Sequence, residues 1–146
     1  MGDLPAFIRR IRLYAEKAGQ IGDAATKAAS KEVLFHLVRD TPVDTGKAIS
    51  NWQVGIGDAP TEEIEAYVPG DYGSTATPNR AAALSAGLQQ IRGYKSGEGK
   101  AVHIVNNIKY IDSLNKGHSK QAPRDFVQMA VLAGRKAVQN VRVNFK

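Results

Sequence analysis

The chain has 146 residues, a formal net charge of +6, no cysteine, and an aromatic complement of four Phe, five Tyr and one Trp. That length suits one domain that buries roughly 70% of the surface its unfolded chain exposes, around a core that is mainly aliphatic and Ala-filled. The lack of cysteine excludes disulfides, thiol catalysis and thiolate metal sites.

The first expected element is a long helix over residues 1–40. Asp3 is placed to cap it and Pro5 to occupy its first turn. Apolar residues recur at Leu4, Phe7, Ile8, Ile11, Tyr14, Ala15, Ala18, Ile21 and Ala25. The stripe continues through Ala28, Ala29, Val33, Leu34, Leu37 and Val38, a period near 3.6. Gly19 and Gly22 weaken its middle and allow either a kink or two abutting helices. Asp40-Thr41-Pro42 ends it, because proline disfavours helix in the residue before it and has no N–H to continue the ladder.

Residues 47–57 alternate, with Ile49, Asn51, Gln53 and Gly55 on one face and Ala48, Ser50, Trp52, Val54 and Ile56 on the other. This predicts a half-buried strand with Trp52 pointing inward. Residues 58–80 are rich in Pro, Gly, Ser and Thr and read as a flexible loop or arm, with a short strand at Ile64–Val68 able to pair back. Only Tyr67 and Tyr72 offer this arm substantial apolar groups, so it is expected to order on assembly rather than in the monomer. Thr77-Pro78 opens an Ala-rich helix with Leu84, Leu88 and Ile91 on one face and Gly93 near its end. Gly97-Glu98-Gly99 is a turn, and Ala101–Asn107 the second strand. A short piece at Tyr110–Leu114 follows. Pro123 starts a closing helix over 123–142, with Phe126, Met129, Ala130, Ala133 and Ala137 as its buried stripe, widened by Val127, Val131 and Val138. The expected fold is α+β: a long N-terminal helix and a C-terminal helix packed on a small antiparallel β-sheet, with an additional middle helix, all in a single domain spanning 1–146.

Catalytic chemistry finds little support. Asp44-Thr45-Gly46 matches the tripeptide of aspartic proteases, but those enzymes need two carboxylates sharing a proton, and here a single copy follows a helix and a proline. A turn leading into a strand is the favoured reading, with Asp44 bonding the N–H groups of the next turn. Gly93–Ala101 hints at a phosphate loop, yet its glycine spacing is one residue too long and Ala101 stands where Ser or Thr is required. His36, His103 and His118 show no metal-ligand spacing. Glu62, Glu63 and Glu65 read as a solvated edge. No catalytic, cofactor or metal residues are expected.

Charge is uneven: residues 109–146 carry eight Lys/Arg against two Asp/Glu, whereas residues 41–108 carry five against seven. A basic terminal segment can meet nucleic acid or an acidic protein surface. Lys116, Lys120, Arg124, Arg135, Lys136 and Arg142 are the candidates to face DNA. The start, Met1-Gly2-Asp3-Leu4-Pro5, is not a secretory signal, and no apolar run nears the ~20 residues of a membrane span; a protein made in a reducing cytoplasm is expected.

Two junctions carry a resemblance. Thr41-Pro42-Val43-Asp44-Thr45-Gly46 with Asn51-Trp52-Gln53-Val54 resembles the opening signature of neck proteins from long-tailed double-stranded DNA bacteriophages, also called head–tail joining, tail-completion or minor-tail-Z-like proteins. Pro69-Gly70, Gly73-Ser74-Thr75 and Asn79 are similar to that family's middle. Asn106-Asn107, Tyr110-Ile111, Leu114-Asn115, Gly117, Ser119, Ala122-Pro123 and Phe126-Val127 resemble its closing signature. The likeness covers about residues 35–135, and the ordered combination is specific where each piece alone is weak. It implies a virion structural protein, not an enzyme, that forms a ring (hexameric by family analogy) at the neck. The ring joins connector or stopper to tail-terminator or tail-tube proteins around the genomic DNA, touched non-specifically, with no cofactor and no membrane. Pro42, Asp44, Gly46, Trp52, Asn106, Asn107, Tyr110, Asn115, Gly117, Pro123 and Phe126 are then structural or interface residues. The alternative is a non-specific nucleic-acid-binding module using the basic C-terminal segment; a hydrolase built on Asp44 is a remote third.

Overall fold

The computed structural model describes residues 20–95, 100–117 and 125–144. The expected helix before residue 20, the turn at Gly97–Gly99, and the candidates Lys120, Pro123 and Arg124, together with His118, lie outside the described residues. Among those described there are five helices and one two-stranded antiparallel sheet, an α+β fold as expected.

Helix α1 (Gln20–Asp40) runs uninterrupted through Gly22. It buries Ala25, Ala29, Val33, Leu34, Leu37 and Val38 on one side, the i, i+4 spacing of a single face. At its end the backbone N–H of Thr41 donates to Leu37 O at 3.1 Å, and Pro42 prevents another turn. After Gly46 comes α2 (Lys47–Ser50), a single helical turn. Strand β1 (Trp52–Ile56) follows, then α3 (Ala76–Arg92), β2 (Val102–Asn106), the short α4 (Ile111–Asn115) and α5 (Phe126–Asn144).

The expected strand over 47–57 is therefore corrected at its first half. Ala48, Ile49, Ser50 and Asn51 are all buried, and four consecutive buried side chains do not fit a strand that shows alternate residues to opposite faces. The positive φ of Gly46 (88°) redirects the chain so that Ser50 N–H reaches Gly46 O, which closes a helical turn. The second half is a strand with Trp52 inward, 2% exposed. It pairs antiparallel with β2, placing Trp52 opposite Asn106 and Ile56 opposite Val102.

Helix α5 packs along α1, which also meets α3; β1 rests mainly on α3, and β2 reaches α1. Gly87 makes the last contact possible. A Cβ there would lie 2.4 Å from Leu34 Cδ2 and 3.1 Å from Val54 Cγ2, so only glycine lets α3 approach both α1 and β1. On α5 the buried stripe is Phe126, Val127, Ala130, Val131 and Val138, with Gly134 between. Met129, expected in that stripe, is 56% exposed. It sits off the 126–130–134–138 row, on the side it shares with the exposed Leu132.

Candidate interaction surface

The first sequence junction and the start of the second meet in the structure. Trp52 donates its indole N–H to Thr41 Oγ1 at 2.7 Å, and that hydroxyl donates in turn to Leu37 O. Both residues are buried, so the end of α1 is locked to the start of β1. From the other junction, Asn106 Nδ2 donates to Ala48 O at 2.8 Å, while its Oδ1 accepts from Ile108 N–H. Asn107 Nδ2 donates to Pro60 O and Glu62 O, both at 3.1 Å.

Two further asparagines order the connection between β1 and α3. Asn51 accepts from Ile64 N–H and donates to Ile64 O, both at 2.8 Å. Asn79 repeats the arrangement with Val68, accepting from its N–H at 2.9 Å and donating to its carbonyl at 2.7 Å. A carboxamide carries the same donor and acceptor as a peptide group, so each asparagine stands in for the neighbouring strand that Ile64–Val68 lacks. The strand expected at Ile64–Val68 does not form for this reason: its backbone partners are side chains. Asn79 Oδ1 also accepts from Ser50 Oγ, whose oxygen accepts from Tyr67 N–H. Asn79 is 0% exposed, and a Cβ on Gly46 would fall 2.2 Å from its Nδ2. Glycine at 46 thus serves both the left-handed backbone and the close approach.

Asp44 acts at longer range than expected. Its carboxylate accepts from Tyr72 N–H at 2.7 Å and its carbonyl from Gly73 N–H at 2.8 Å. The bond from Lys47 N–H goes to Thr45 Oγ1 at 3.3 Å. The expected bonding of Asp44 to the next turn is thereby corrected: the carboxylate holds a loop 28 residues downstream.

What this framework displays is aromatic. Tyr72 is 96% exposed and carries φ 56°, an uncommon conformation for a bulky residue. Tyr67, Val68 and Tyr110 are exposed as well. The two arm tyrosines therefore contribute little burial within one subunit, and side-chain amides hold the arm instead. Burial pushes the Tyr110 phenol above its ordinary value; Lys47 opposes this, and Glu63 and Asp44 add to it. Glu63 forms an ion pair with Lys47 that raises the lysine's pKa. Asp58, Glu62, Glu63, Glu65 and Asp71 make the arm acidic, with no Lys or Arg between residues 58 and 79.

The remaining candidates scatter or have local roles. Asn115 Oδ1 accepts from Val127 N–H at 2.9 Å, and its carbonyl accepts from Asp125 N–H at 2.7 Å, so it holds the first turn of α5. Gly117 takes φ 90° just after α4. Phe126 is a fully buried anchor, and Pro42 is buried at the end of α1. Of the expected DNA-facing residues, Lys116 is exposed after α4, Arg135 is half-buried on α5, and Lys136 is exposed on α5. Arg142 lies in the last part of α5. His36 is bound between Glu32 and Arg39, and His103 to Gly57 O. Among the described residues no group of His, Asp and Glu has metal-binding geometry, and no helix is long and apolar enough to cross a membrane.

Sequence reasoning missed Asn51 and Asn79 as organising residues. The available signal was a pair of asparagines bounding a segment of strand-like residues that had no second strand to join. Compared with known proteins, the chain matches no family model, no curated protein and no solved structure.

Proposed function

We propose that this protein is a structural subunit that assembles into a ring at the head–tail junction of a long-tailed phage, joining connector to tail around the DNA path. One observation carries the reading. The first junction, Asn79 of the middle segment and Asn106-Asn107 at the start of the second junction meet in one hydrogen-bonded framework, with Trp52 opposite Asn106 and Asn106 bonded to Ala48. That framework binds no candidate reactive group into a cleft. It displays Tyr67 and Tyr72 on an acidic arm and Tyr110 just before α4, and exposed aromatics of this kind are the usual anchors of protein interfaces.

A ring requires heterologous contacts, one patch meeting a different patch on the next copy. Sedimentation of the purified chain over a range of concentrations, with electron microscopy of the largest species, tests this directly. Closed rings are expected; a chain that stays monomeric at high concentration, alone and with isolated tails, removes the proposal. The nucleic-acid alternative predicts DNA affinity that falls steeply with salt and ignores sequence. Absence of binding at low salt by the assembled form assigns the basic residues to protein contacts or solubility.

A further inference from the structure

Between α1 and α5 lies a groove of about 690 Å³. Its floor is apolar, with Phe126, Met129, Leu132 and Ala133, and its rim carries Arg39 and Lys136. Met129 and Leu132 are 56% and 47% exposed, and Phe35 on α1 is 45% exposed beneath the Arg39 guanidinium, 5.7 Å from its ring centre. The acids at this site are already engaged. Arg39 holds Asp40 through two bonds of 2.7 and 2.8 Å, and Glu32 is bonded to His36.

The opposite half of a contact is the arm. Tyr72 is almost fully exposed, so it does not fill its own subunit's groove, and Asp44 and Gly73 hold its backbone in a left-handed conformation. A strained residue fixed from outside its own turn, with its ring in solvent, has no packing partner among the described residues. Charge favours the same pairing. The arm has five carboxylates and no base between residues 58 and 79, of which Glu63 is paired with Lys47, whereas α5 has no acid and places Lys136 on the groove rim.

We propose that the Tyr72 arm of one copy docks into the α1/α5 groove of a neighbouring copy, Tyr72 against Met129 and Leu132 with the arm's carboxylates facing Lys136. This names the two patches of the self-assembly proposed above and rests on that reading. Apolar insertion supplies affinity, while the charge pairing selects the arm over other surfaces.

The cysteine-free chain makes the test direct. Full-length Tyr72→Cys and Ala133→Cys variants are oxidised separately and mixed. Disulfide-linked dimers are expected only in the mixture, and the double variant should give a ladder of linked copies. Tyr72→Ala should weaken association on the order of tenfold or more with an unchanged circular-dichroism spectrum, and Tyr72→Phe should retain most of it. Wild-type assembly without a cross-link in the mixture overturns the docking proposal and leaves self-assembly standing. Efficient linking of Tyr72→Cys to itself overturns it in favour of an arm-to-arm contact. Linking of Ile8→Cys to Ala133→Cys in its place gives the groove to the N-terminal segment. A wild-type chain that never associates removes both the docking and the assembly reading.

Discussion

The helical layer and the arm between β1 and α3 are ordered by different forces. In the first, Val33, Leu34, Leu37, Phe126 and Ala130 are shut away from water with at most 0% exposure, and the gain is non-directional apolar burial. In the second, residues 60–73 bury little, and the chain is tied at Pro60, Glu62, Ile64, Tyr67, Val68 and Tyr72 by asparagine, glutamine, serine and aspartate side chains. The difference teaches that a loop poor in apolar residues can still hold one shape when buried carboxamides replace a missing strand. It also leaves the loop's aromatic groups available to a partner.

The comparison predicts separable losses. Leu37→Ala should have the largest effect, about 2–5 kcal/mol from lost burial and the resulting cavity. Chemical denaturation should show a lowered midpoint, and amides throughout α1 and α5 should exchange faster together. Asn79→Ala should cost about 2–3 kcal/mol, since it strips partners from Ser50 and Val68 at once. Its signature is local: hydrogen exchange quickens at Tyr67 and Val68 while α1 and α5 keep their protection. Equal acceleration in both regions would merge the two into one cooperative unit and end the distinction.

Asp44 sharpens the same point at smaller scale. Asp44→Asn should leave stability nearly unchanged because the amide oxygen still accepts from Tyr72 N–H. Asp44→Ala should cost about 0.5–2 kcal/mol, by analogy with loss of a capping side chain, and should free the amides of Tyr72 and Gly73. Peptidase activity lost in Asp44→Asn would replace this structural role with a catalytic one.

The smallest expected effect belongs to the helical side. The hydrogen bond from Arg39 lowers the Asp40 pKa from its ordinary 3.8. A carboxyl depressed in the folded state stabilises the fold above the unfolded value and loses that contribution as pH falls through the folded one. For this solvent-facing pair the amount is a few tenths of a kcal/mol and is screened by salt. Thermal melts of the wild type and Asp40→Asn should draw together as pH falls below 3.8 toward the depressed folded value; a difference that does not shrink on further acidification assigns the effect to packing.

Several elements were legible because local chemistry and tertiary structure agree there. The end of α1 at Asp40, the inward Trp52, the Ala-rich helix after Thr75 and the strand Val102–Asn106 follow from proline punctuation, period-2 alternation and period-3.6 stripes. Met129 was misplaced because α5 has two apolar strips, and periodicity does not say which of them meets α1. The turn at Lys47–Ser50 was misread because alternation over four residues fits a strand and one helical turn alike.

The order of residues along the chain, by itself, determined the α+β class, the long apolar stripe of α1, the breaks at Pro42 and Gly46, and the absence of thiol chemistry. These depend on backbone sterics and on spacing between near neighbours. Only the tertiary structure decided that Asp44 holds Tyr72, that Asn51 and Asn79 complete Ile64 and Val68, and that Asn106 reaches Ala48. Those bonds join groups 11 to 58 residues apart. A carboxamide or carboxylate bonds equally well to any correctly placed peptide group, so its partner is chosen by where the fold brings the chain.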